Sequence, residues 1–145
     1  MSEAFQPTRG IRNNNPGNIE RTHEQWLGMS KDQHDERFIV FNAPEYGLRA
    51  IMRLIRNYGF NDYRTLRSIA NHWLGGDHNH EAPRSEGDVH AYCMTLCRET
   101  GYLAELTLDT NDVTVRMKVA RAIVIAENQH DPYSAEVWNR AATLG

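Results

Sequence analysis

The segment Arg9-Gly10-Ile11-Arg12-Asn13-Asn14-Asn15-Pro16-Gly17-Asn18-Ile19 restricts this chain more than any other. Three consecutive asparagines, Pro-Gly and a further asparagine suit neither helix nor strand, because Asn side chains compete for backbone hydrogen bonds. Pro16 and Gly17 fit the two central positions of a type II turn, Pro by its fixed φ and Gly by its tolerance of a positive one. A polar surface turn is the plain reading. Arg9, Ile11, Arg12 and Ile19 bracket the turn with charge and apolar bulk, which adds a second reading. That one is an Ω-like loop pinned at both ends, whose amides face a polar ligand such as a sugar.

The rest of the chain carries helical periodicity. Residues 1–8 read as a loose arm and 9–145 as one domain, long enough to bury about two-thirds of its unfolded surface. Arg37 to Phe41, rich in Phe, Ile and Val, predicts a short strand. Pro44 and Glu45 then open a helix whose stripe is Leu48, Ile51, Met52, Ile55 and Tyr58, with Gly59 ending it. Further helices are expected over 63–74 (Leu66, Ile69, Ala70, Trp73) and from Glu86 or Gly87 to Glu99 (Val89, Tyr92, Cys93, Leu96). Two more are expected over 111–128, after a Thr110 cap, and from a Ser134 cap through Ala142. The sum is a mainly α domain with a small β element in its N-terminal third.

Composition excludes several function classes. A hydrophobic content of 40% can form a core, so wholesale disorder is not expected. A net charge of −3 argues against a general nucleic-acid coat, so nucleic acid is not an expected partner even though Trp26, Tyr46 and Tyr58 could stack bases. No run of about 18 apolar residues predicts a membrane span. The polar start Met1-Ser2-Glu3 lacks a basic and apolar leader, so synthesis in the cytosol is expected. Cys93 and Cys97, one helical turn apart on a core stripe, read as buried reduced thiols.

The motif Arg9 to Ile19, followed by Trp26-Leu27-Gly28, resembles a family of short phage and prophage proteins described as virion structural proteins or peptidoglycan hydrolases. The likeness continues through Asp35, Arg37-Phe38-Ile39-Val40-Phe41 and Ala43 to Ala50, and returns at Trp73, Tyr92, Thr100-Gly101 and Glu127-Asn128. It implies a lysozyme-like domain of the muramidase or lytic transglycosylase kind, made in the host cytoplasm and carried in the virion. Such a domain acts in the periplasm or cell wall as DNA enters or the host lyses. Its partners would be peptidoglycan and other virion proteins. The competing class is a non-catalytic structural or ejection protein.

Cleaving a glycan strand requires a carboxyl that keeps its proton until it meets the leaving oxygen, with a second carboxylate in many such enzymes. Glu127 closes an apolar helix after Ile123, Val124 and Ile125, a setting that favours the protonated form. Its plain alternative is as a partner for Arg9 or Arg12, anchoring the Asn loop. Asp35 is the candidate second carboxylate or a bonding partner of that loop. Glu20 abuts the loop, although the resembled family more often carries a basic residue there. Substrate contacts are expected from Arg12, Asn13, Asn14, Asn15, Asn18, Trp26, Tyr46 and Arg49: amides toward acetamido groups, rings against sugars, arginines toward stem-peptide carboxylates.

Other chemistries fit less well. Ser68 and Ser85 lack an elbow sequence, and Cys93 sits among core positions, so nucleophilic catalysis is not expected. Asp77, His78, His80, His90, Cys93 and Cys97 crowd together without a metal-site frame, so neither metal nor cofactor is expected. Arg49, Arg53 and Arg56 form a stripe on one helix. That stripe reads as a solvated face or, through its guanidinium forks, as a surface for carboxylate or phosphate.

Overall fold

The computed structural model describes residues 6–75 and 85–145, and these are mainly helical. A single turn, α1 (Arg9–Arg12), precedes α2 (Pro44–Phe60) and α3 (Leu66–Gly75), followed by α4 (Glu86–Thr100), α5 (Val113–Asn128) and α6 (Ala135–Thr143). α4 packs between α3 and α5, while α2 packs against α5 and α6. The apolar stripes explain that arrangement. Leu48, Ile51 and Ile55 of α2, Ile69 and Trp73 of α3 and Leu96 of α4 are buried with Val119, Ile123 and Val124 of α5 and Trp138 of α6. Val89 and Tyr92 are only partly buried at the edge of this core.

The helix ends follow local chemistry. Ser85 and Ser134 cap α4 and α6 by accepting N–H bonds from Asp88 and Val137, and Gly101 closes α4 in the left-handed conformation. Asp112, not Thr110, caps α5. Thr110 is instead buried against Gly59, where a Cβ would lie 1.8 Å from its hydroxyl.

Two local expectations are corrected. Residues 9–12 form a helical turn where a loop was expected, because the Thr8 hydroxyl accepts from Ile11 N and satisfies the turn's start. Asn14, at φ 53°, then breaks it. The stretch 37–41 makes only isolated antiparallel bridges, Glu20 with Phe38 and Met29 with Phe41, and no strand forms among the described residues. Side chains interrupt the ladder. Asp35 Oδ1 accepts from the N–H groups of Arg37 and Phe38, and the Gln33 amide brackets both backbone groups of Val40.

The Asn-rich segment sits on the N-terminal half of α2. Gly47 allows that approach: a Cβ there would lie 1.9 Å from the Asn14 carbonyl oxygen. Alanine ordinarily stabilises a helix interior over glycine by about 1 kcal/mol. Here Gly47→Ala is expected to destabilise by about 1–3 kcal/mol, since backbone must move. Urea unfolding measures it, and an unchanged or higher midpoint would refute the close contact.

Candidate functional site

The asparagines of the loop face inward. Asn15 is fully buried; its Oδ1 accepts from Ile19 N at 3.0 Å, and its Nδ2 donates to the carbonyls of Ile19 (2.9 Å) and Ile39 (3.0 Å). Asn13, also buried, donates to Asp35 Oδ2 at 2.8 Å, and Asn14 donates to the Phe41 carbonyl at 3.0 Å. The expected turn is present, with Asn18 N donating to Asn15 O at 3.0 Å across Pro16 and Gly17. It is not type II, because Gly17 is absent from the positive-φ positions that Asn14 and Asn18 occupy. Gly17 is required for space instead: a Cβ would meet Ile51 at 2.8 Å and Trp73 at 3.0 Å.

The end of α5 closes on this loop. Asn18 Nδ2 donates to Glu127 Oε1 at 2.9 Å, joining positions 109 residues apart. Next to it, Asn128 Nδ2 donates to the Pro16 carbonyl at 2.7 Å, and the Thr8 hydroxyl donates to Asn128 Oδ1. Glu127 thus bonds the loop through the Asn18 amide. Glu127 is half-buried, and the Asn18 Oδ1 beside it is buried without a hydrogen-bond partner. Asn128 was not singled out from the sequence. Its signal was adjacency to Glu127 in the matching segment, where it reads as an ordinary helix end.

The other two candidate carboxylates serve the scaffold. Asp35 receives Arg9 through two 2.7 Å bonds, together with the Asn13 amide and the N–H groups of Arg37 and Phe38. The Arg9 guanidinium holds its carboxyl far below the usual carboxylate range. Burial opposes this, and the two N–H groups and the Asn13 amide reinforce it. Both oxygens are occupied and the group stays ionised. Glu20 is buried against Arg37, which donates to its Oε1.

The remaining candidates are dispersed. Arg12 is exposed and donates to the Pro7 carbonyl. Trp26 and Tyr46 are partly buried against the core, and Gly28, at φ 78°, lies flat on the Tyr46 ring. Arg49 lines a different surface, a groove shared by α2, α5 and α6. Larger clefts of about 630 and 440 Å³ lie between α3 and α4 and along α5 and α6, with linings that include none of the predicted site residues.

Cys93 is buried and Cys97 half-buried, both free; burial pushes the Cys93 thiol up to about 11, aided by Cys97 beside it. Asp77, His78 and His80 lie outside the described residues. Among the described residues no cluster of three metal-ligand side chains occurs, and no helix is long and apolar enough to cross a membrane.

The amino-acid sequence is 31% identical over 130 residues to protein P5 of Pseudoalteromonas phage PM2, covering 87% of this chain and 74% of that protein. The chain belongs to the family of that phage protein. No family model matches it. The shared stretch is too long to be carried by the N-terminal motif alone, so the likeness includes much of the helical domain. Its phage origin agrees with the resemblance carried by the Asn-rich motif.

Proposed function

We propose that this protein is a virion component whose lysozyme-like domain cleaves the glycan strand of peptidoglycan, with Glu127 as the proton donor. The observation that carries the reading is the Asn18–Glu127 contact. A half-buried carboxyl at the end of an apolar helix is fixed at 2.9 Å by an amide from the loop that marks the family resemblance. Asn18 would orient that carboxyl, and the Asp35–Arg9–Asn13 cluster would hold the loop in place. In this role Glu127 protonates the glycosidic oxygen as the bond to the anomeric carbon breaks. The cation is then captured by water in hydrolysis, or by the sugar's own hydroxyl in transglycosylation. Trp26, Tyr46 and Arg12 are the proposed peripheral contacts to the polymer.

A second reading is favoured by the inward amides. Asn13 and Asn15 are satisfied within the fold, as a structural virion protein binding another particle component would have them. Zymography on purified peptidoglycan separates the two. Clearing by wild type that falls by about 10²-fold or more in a folded Glu127→Gln variant supports glycan cleavage. Well-folded wild type that clears nothing gives the structural reading. Clearing that survives Glu127→Gln removes that residue from the mechanism.

A further inference from the structure

We infer that the arginine-lined surface over the narrow groove between α2, α5 and α6 binds a phosphate-type oxyanion, held by Arg49, Arg53 and Arg56 of α2 and Arg116 of α5. This site is separate from the Asn18–Glu127 contact and does not rest on the glycan-cleavage reading.

Spacing on α2 puts Arg49, Arg53 and Arg56 on one face, with intervals of four and three residues that span about 10 Å of helix axis. The sequence alone allowed a solvated face. The structure adds a fourth arginine from another helix, since Arg116 lines the same groove beside Val113 and Met52. Among the described residues none of the four makes an ion pair with an Asp or Glu side chain. Glu45, one turn before Arg49, is held by Arg140 instead. Arg53 Nη1 donates to the main-chain oxygen of Gly145 at 3.3 Å, Arg116 Nη1 to the Thr110 carbonyl at 2.9 Å, and Arg56 lies over the exposed Phe60 ring at 5.4 Å. Each of these leaves guanidinium N–H groups over. The Arg49 Nε is buried with no hydrogen-bond partner at all, a donor withdrawn from water and left unsatisfied.

Electrostatics point the same way. Burial lowers the Arg49 pKa and the Arg53 charge lowers it further; burial and Arg56 do the same for Arg116, with Asp112 and Asp109 partly offsetting the effect. Like charges are thus packed in two pairs with a net local excess of cation. One carboxylate offers two oxygens and is satisfied by a single guanidinium fork. Four arginines lining one groove from two helices match a tetrahedral, multiply charged anion better, and arginine is the residue suited to bidentate phosphate recognition. The chain's net charge of −3 does not oppose this, because the field of a local patch decides what it attracts. The phosphate is either free or part of a nucleic-acid backbone.

The test is a titration of the full chain with inorganic phosphate, read on arginine Nε–Hε NMR signals against chloride at equal ionic strength. Saturable shifts at Arg49, Arg53, Arg56 and Arg116, weakened at least about tenfold in a folded Arg53→Gln/Arg116→Gln variant, support the site. Displacement of phosphate from these signals by a single-stranded oligonucleotide assigns the backbone source, and failure to displace assigns free phosphate. Shifts that do not saturate, or that chloride reproduces, overturn the proposal. So does glutamate binding as tightly as phosphate, or an oligonucleotide binding where phosphate does not.

Discussion

Asn15→Ala is expected to lower the unfolding free energy by about 2–5 kcal/mol, a large share of the roughly 5–15 kcal/mol of an ordinary domain. The side chain is fully buried and serves three backbone groups: it accepts from Ile19 N and donates to Ile19 O and Ile39 O. Alanine leaves Ile19 N and Ile39 O without a partner in a site that water does not reach, and each buried orphan costs about 1–3 kcal/mol. The Ile19 carbonyl keeps one partner, because Ile39 N also donates to it. Asn14→Gly provides the contrast. It loses one bond, to the Phe41 carbonyl, and keeps the left-handed conformation at φ 53° without a side-chain penalty, so its cost should be about 1 kcal/mol. Equilibrium denaturant unfolding of both variants measures the difference. An Asn15→Ala protein within about 0.5 kcal/mol of wild type would mean that this amide does not hold the loop.

That contrast also shows what the sequence made legible. The five longer helices were readable because apolar residues recur at helical spacing, and Ser85, Ser134 and Gly101 punctuate them by chemistry that acts within a few residues. α1 was hidden because a single turn has no periodicity; only the Thr8 cap selects it. The strand over 37–41 was drawn from β-propensity, but Asp35 and Gln33 bind the backbone groups that a neighbouring strand would have taken. The asparagines were correctly read as a loop, yet the direction in which their amides point depends on partners elsewhere in the chain. Ile39 bonds Asn15 from 24 residues away and Glu127 bonds Asn18 from 109 away, distances at which no local pattern speaks. Arg116 joined the α2 arginines for the same reason: helix packing, not spacing, brings it to the groove.

Acid should weaken the loop's anchor at Asp35 before it reaches the helical core. The Arg9 guanidinium holds this carboxyl below its ordinary range, with the Phe38 and Arg37 N–H groups and the Asn13 amide assisting against the opposing effect of burial. A group with a depressed folded-state pKa binds fewer protons folded than unfolded, so its stabilisation is complete above the unfolded carboxyl pKa of about 4. Below that, stability falls continuously as pH approaches the folded-state value. Asp35→Asn removes the charge and turns an N–H₂ toward groups that are themselves donors. The Asn oxygen still accepts from the N–H groups of Arg37 and Phe38, but the buried Asn13 amide loses its acceptor at Oδ2, which should cost about 1–3 kcal/mol near neutrality. The Arg9 side of the pair adds little, because its side chain is 43% exposed and water replaces the lost partner. The gap between the unfolding free energies of wild type and Asp35→Asn, measured from neutral pH down to about pH 3, should therefore narrow as acid protonates this carboxyl in the unfolded wild-type chain. A gap that stays constant across that range would show that the carboxylate's charge contributes nothing to holding the loop, and Asn13 and Arg9 would then owe their positions to packing alone.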